Sequence, residues 1–192
     1  KMSIDEIINH LVNGELVKRR ITIPEGLLTR EVVSLVAETE GLVGDVPVDR
    51  PEGIYLPETY FFSYGDKRSS VLSRMEKAMN LALGKAWAAR GKKITITSPR
   101  EALILASLIE RETGINGERA RVSSVFHNRL RLGMRLQSDP TVAYAVTGGK
   151  RPLGRPLTQS DLQISSHYNT YRHAGMPPGP IANPGLAAIM AA

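Results

Sequence analysis

Cysteine is absent from the 192 residues, so neither a disulfide nor a thiolate metal site can hold this chain together. Long apolar runs are absent as well, and nothing approaches the roughly 20 residues that a membrane-crossing helix needs. No signal peptide opens the sequence. The start at Lys1-Met2-Ser3 reads as the interior of a longer protein, and any anchoring segment is expected outside this stretch. Aromatic residues are few, with six tyrosines, three phenylalanines and one tryptophan. They do not interleave with the basic clusters Lys18-Arg19-Arg20, Lys92-Lys93 and Arg129 to Arg135, which are themselves far apart. A nucleic-acid domain would show a dense basic stripe or a reading helix, so no nucleic acid is expected. The net charge of +6 still favours a polyanionic partner. His10, His127, His167 and His173 lack metal-ligand spacing, and no phosphate cradle, nucleophile elbow or Ser-His-Asp arrangement is found. No metal or other cofactor is expected.

What remains is an ordinary globular composition, 42% hydrophobic and 23% charged, enough for one good core or a small domain beside a medium one. Residues 3–43 read as an αβα unit. Ser3-Ile4-Asp5-Glu6 looks like a capping box, Ile4, Ile7, Ile8 and Leu11 share a helical face, and Gly14 is a stop. Val17 to Ile23 alternates as a strand does, Pro24-Glu25-Gly26 makes a turn, and Thr29 caps a helix carrying Val32, Val33, Leu35 and Val36. Gly44 to Pro57 is a linker or wrapped loop. The aromatic-dense segment Glu52 to Phe62 either lines a sugar site or seams two subdomains. An amphipathic helix over 67–90 buries Val71, Leu72, Met75, Met79, Ala82 and Ala86 as scaffold. Ile94 to Thr97 is a candidate short strand, and Tyr168 to Tyr171 reads as another, running into the rigid, proline-fixed loop from Gly175 to Ile181.

The stretch from Ser98 to Tyr144 carries the chemistry. Ser98-Pro99-Arg100-Glu101 marks a helix start, with a capping box and proline at the first position. From Ala102 to Ile109 only Ser107 is polar, which predicts a helix buried on most sides. Glu110 follows on the face of Leu103, Ala106 and Ser107. A carboxyl emerging there is partly desolvated, the setting in which such groups serve as proton donors. A second helix is predicted from Glu118 to Leu132, with Val122, Val125, Phe126, Arg129 and Leu130 on one stripe and Gly133 ending it. Arg129 on that stripe calls for an anionic partner (Glu110, Asp139 or a substrate) unless it buries its stem and keeps its head in water. Asp139 before Pro140 suits an N-cap of a helix over 140–146.

The segments ASLIERET, VSSVFHNRLRLGMRLQSDPTVAYA and YNTYRHAGMPPGPIANPG, in this order, closely resemble the endolytic murein transglycosylases, the MltG or YceG-like family, over nearly the whole chain. The resemblance implies an α+β fold: a LysM-like N-terminal subdomain over 1–46, then a helix-rich catalytic domain over 47–192 with a modest mixed sheet. That domain is expected to be C-terminally incomplete, because the family continues into further strands. The resemblance also puts the catalytic role on Glu110 and, near the cleft, substrate contact on Gln137, Asp139, Tyr168 and Asn169, with Arg129 a further candidate. It implies cleavage of the β-1,4 bond between N-acetylmuramic acid and N-acetylglucosamine, leaving a 1,6-anhydro end. It implies peptidoglycan glycan strands as partner, work coupled to peptidoglycan synthases, and a periplasmic place on the outer face of a bacterial inner membrane through an anchor not in this chain.

Hydrolytic glycosidases need two carboxyl groups flanking the bond. Glu112 is the nearest second acid, but two positions along a helix turn it about 200° away from Glu110. A transglycosylase escapes the requirement, because the muramic C6 hydroxyl is an internal nucleophile. Two other classes fit the residues: a peptidoglycan-binding module without activity, and a muramidase-type hydrolase taking its second carboxyl from Glu58 or Asp139.

Overall fold

The structure, a computed structural model, describes residues 2–13, 17–92 and 94–192. Helices α1 (Ile4–Asn13) and α2 (Thr29–Glu38) flank strand β1 (Arg19–Thr22), and strand β2 (Thr59–Phe62) follows. The rest is helical: α3 (Arg68–Ala88), α4 (Pro99–Glu112), α5 (Arg119–Arg131), α6 (Asp139–Thr147) and α7 (Leu186–Ala191). None of the described helices is long and apolar enough to cross a membrane.

β1 and β2 pair antiparallel, Arg19 opposite Phe62 and Thr22 opposite Thr59. Among the described residues this is the single sheet, so the fold is α+β, but the mixed sheet expected within 47–192 is replaced by a two-stranded antiparallel one in which β2 pairs with β1 from outside that range. The two segments expected to build it have given their backbone groups elsewhere. The amide of Thr95 donates to His127 Nδ1 at 3.3 Å. Residues 168–171 are turns, because the buried Asn169 side chain donates to the carbonyls of Leu162 and Ile164 at 3.0 Å each and accepts from the Tyr171 amide at 3.0 Å.

One hydrophobic cluster joins Ile21, Val32, Val36, Tyr55, Phe62 and Met75. It draws on both sides of residue 46, and the β1–β2 pairing crosses the same point. On α1, Ile4, Ile7 and Ile8 are all exposed. Gly14 and the side chains of His10 and Leu11 lie outside the described residues. Thr29 is inside α2 and not its cap: Leu28 precedes the helix, and the Glu31 carboxylate accepts from the Leu28 amide at 2.9 Å.

α4 is the central helix, packed against α3, α5, α6 and α7. It buries every residue from Ile104 to Glu110, and Leu105, Leu108 and Ile109 are fully enclosed. Each of these three side chains contributes on the order of 1.5–3 kcal/mol of hydrophobic stabilisation. Its start is as expected at Ser98, whose hydroxyl accepts from the Glu101 amide at 3.2 Å. Glu101 reaches past the cap to the amide of Thr97 at 2.6 Å.

Candidate active site

The buried run of α4 carries Glu110 to the last turn of the helix, where its side chain is 4% exposed. Two donors meet its carboxyl. The Gly185 amide donates to Oε2 at 2.8 Å and Arg119 Nη2 donates to Oε1 at 3.0 Å. Gly185 is held there because the chain before α7 docks on α4: the Ile181 amide donates to the Ser107 hydroxyl at 3.1 Å, and Ser107 donates to the carbonyl of Ile104. The one polar residue inside the apolar run is therefore the attachment point for the segment that delivers Gly185.

Arg119 opens α5 and is 4% exposed at its side chain. The same Nη2 donates at 3.1 Å to a second carboxylate, Glu25 of the Pro24-Glu25-Gly26 turn. Burial first, and then the negative charges of Glu110 and Glu58, push the Glu25 carboxyl above its ordinary value, with Arg119 acting against them. Gly26 sits at φ +77° directly against Glu110, where a Cβ would come within 3.7 Å of its Cγ. A Cβ on Gly185 would overlap the Glu25 carboxyl. Two glycines thus let three chain segments close around one guanidinium.

Asn183 fixes the outer segments to each other. Fully buried, it accepts from the Tyr55 amide at 2.9 Å and donates to the Leu27 carbonyl at 2.9 Å and Thr29 Oγ1 at 3.1 Å. Its backbone pairs with Gly26 and Leu27 at 2.9 and 2.8 Å.

The other expected site residues make their described hydrogen bonds to groups other than Glu110. Arg129 does not reach Glu110 or Asp139. Its Nη1 donates to the carbonyls of Arg135 and Leu136 and to Gln137 Oε1 at 2.9 Å, so backbone oxygens satisfy it in place of an anion. Val125, expected on the same inward stripe, is exposed. Gln137 is exposed, at φ +52°, an unusual conformation for a residue with a side chain. Ser138, not Asp139, precedes α6, and the Asp139 carboxylate instead accepts from the Tyr171 hydroxyl at 2.6 Å. Glu112 accepts from Ser138 Oγ at 3.0 Å on that same side, away from Glu110. Tyr168 packs on Tyr144, ring centroids 4.8 Å apart, with burial pushing its phenol upward. The Asn169 side chain is spent inside its own loop.

Tyr171 offers a direct check of this second cluster. Its hydrogen bond to Asp139 pushes the phenol up to about 12. The neutral form is the one the fold favours, so this contribution to stability is complete below the ordinary value of 10.0 and is lost as pH rises through 12. Asp139→Asn is expected to bring the phenol back down, read as an earlier tyrosinate absorbance rise that Tyr171→Phe removes.

Arg119, Glu25, Gly185 and Asn183 were not singled out for chemistry by sequence alone. The signals present were the Pro-Glu-Gly and Asn-Pro-Gly tripeptides, each with turn residues around a side chain that proves structural or charged at the site. Among the described residues no His, Asp and Glu cluster could hold a metal ion.

Comparison with known proteins finds relatives of the chain. The model of the YceG-like family matches residues 1–192. An endolytic murein transglycosylase of Bacillus subtilis is 39% identical over 142 residues, covering 73% of this chain and 38% of that protein. One from Streptococcus pneumoniae serotype 2 is 28% identical over 234 residues, covering 98% of this chain and 42% of the relative. The crystal structure of a yceG-like protein from Listeria monocytogenes is similar with a TM-score of 0.73 at 29% identity, covering 99% of this chain and 71% of that one. The chain therefore spans well under half the length of these two transglycosylases.

Proposed function

The chain belongs to the YceG-like family, and from that premise we propose that it carries the catalytic centre of an endolytic peptidoglycan transglycosylase with Glu110 as the acid and then the base. The observation that supports this most is the placement of Glu110: one carboxyl at the end of an apolar helix, almost closed to water, with a backbone amide and a guanidinium fixing its two oxygens. The relatives named endolytic murein transglycosylases supply the substrate class, peptidoglycan glycan strands, and with it an extracytoplasmic place of work.

In this mechanism the protonated Glu110 donates to the glycosidic oxygen between N-acetylmuramic acid and N-acetylglucosamine, and the C1–O bond breaks. The C6 hydroxyl oxygen of the same muramic residue bonds to C1, and its proton passes to the Glu110 carboxylate, restoring the acid. No water enters the balance, and holding the hydroxyl beside C1 makes the step intramolecular. Arg119 and the Gly185 amide keep the carboxyl in one orientation through both transfers. The exposed Glu25 marks the side from which a glycan reaches the centre, since Glu110, Arg119 and Gly185 are all enclosed. Gln137, Asp139 and Tyr168 remain candidates for contact farther along the strand. Anchoring in the membrane and coupling to synthases belong to the whole protein in this proposal.

Mass spectrometry of peptidoglycan after digestion decides the reaction. Fragments one water lighter than hydrolysis products are expected from the protein and none from Glu110→Gln. Hydrolysed ends would replace the lyase by a muramidase, and Glu25, against the same guanidinium, would then be the second carboxyl in place of Glu58 or Asp139. Binding to sacculi with no fragments from a longer chain would leave a glycan-binding module.

A further inference from the structure

Glu110 has to carry a proton at the start of the proposed reaction, and this raises a difficulty at Arg119. A guanidinium cannot shed its charge, and one that is 4% exposed needs an anion at all times. When Glu110 is neutral it no longer supplies one. The same nitrogen of Arg119 that meets Glu110 at 3.0 Å meets Glu25 at 3.1 Å, so a replacement anion is already in contact and no side chain has to move.

We propose that Glu25 is a positioning residue of the reaction, the alternate counter-ion that holds Arg119 while Glu110 carries its proton; this rests on Glu110 being the acid. Unlike Glu110, Glu25 is 44% exposed at the side chain, so water reaches its charge from one side, and the part of the upward push on its carboxyl that comes from the Glu110 charge lapses once Glu110 carries its proton. Its location is built rather than incidental. The turn that bears it is tied by the Gly26 amide to the Asn183 carbonyl, and Gly185 leaves open the space its carboxyl fills. The other charges near this pair are Arg111, whose Nη1 donates to the Gly26 carbonyl at 3.2 Å, and Glu58 at the head of β2, which acts on Glu25. Gly185 presents a neutral amide. None of these neighbours contacts Arg119 as Glu25 does. The direction of the effect follows: without the Glu25 charge, the attraction of Arg119 for Glu110 is no longer offset by a second carboxylate at the same nitrogen and favours the Glu110 carboxylate, so the acid form is reached at lower pH.

The test follows the Glu110 carboxyl through a pH titration by isotope-edited NMR, in the wild type, Glu25→Gln and Gly185→Ala, alongside the pH dependence of anhydro-end release. The Glu25→Gln substitution is expected to move both the NMR midpoint and the alkaline fall in rate about one unit lower, which is about tenfold in activity on that limb. Gly185→Ala keeps every charge but displaces the Glu25 carboxyl, and is expected to shift the midpoint the same way. An unmoved midpoint in both variants overturns the inference, including the case where activity drops evenly at every pH and Glu25 merely braces the turn. A midpoint that moves in protein releasing no anhydro ends upholds the counter-ion and removes the transglycosylase reading instead.

Discussion

Arg119→Met is expected to lower stability by about 3–5 kcal/mol, the range found when one member of a buried ion pair is removed. Methionine fills much of the arginine stem, so cavity formation contributes little. The loss comes from Glu110, left 4% exposed with the Gly185 amide as its remaining contact described above, and from Glu25, which loses its cation. Urea unfolding of Arg119→Met beside the Arg119→Met/Glu110→Gln pair separates the causes. If a stranded carboxylate is responsible, the double variant recovers part of the loss. A double variant no more stable than the single one would place the cost in packing around α5.

Asn183→Ala is expected to cost about 2–4 kcal/mol, because a buried amide that serves several segments disappears and leaves the Tyr55 N–H without its acceptor. Its consequences extend to the site. The turn bearing Glu25 would keep its backbone bonds to residue 183 but lose the side-chain bonds to Leu27 and Thr29. Activity is therefore expected to fall further than stability under conditions where the variant is fully folded. Asn183→Asp is the sharper comparison. It retains an acceptor for Tyr55 but turns the donor that faces Leu27, Thr29 and, at 3.3 Å, Glu52 into a negative oxygen. It is expected to be at least as destabilising, and thermal melts that found it near wild type would discount the donor bonds altogether.

The helices were legible where local chemistry and burial agree. Ser98 and Pro99 mark the start of α4, the run from Ala102 to Ile109 has no polar face to confuse it, and Glu110 stands out at its end. Arg119 was not legible for the converse reason. In the sequence it sits among Glu118 and Arg121 at a helix start, where charges are ordinarily solvated. Its burial is decided by residues 25 and 185, which no local pattern connects to it. The same limit applies to Arg129, which looked enclosed on its stripe yet is satisfied by three groups within eight residues downstream. The strand expected at 168–171 failed on a side chain. Tyrosine and threonine favour extended backbone, but Asn169 captures the loop's own carbonyls and amide before a neighbouring strand can.

The clasp between Gly26, Leu27 and Asn183 also imposes an order in time. During synthesis the turn at residue 25 leaves the ribosome long before residue 185 exists, so a growing chain holds neither the Gly185 amide nor the bonds that seat Glu25. Closing so distant a pair is entropically among the later events of folding. A nascent chain that has not reached residue 185, or one clipped before it, thus keeps this acidic cluster disassembled.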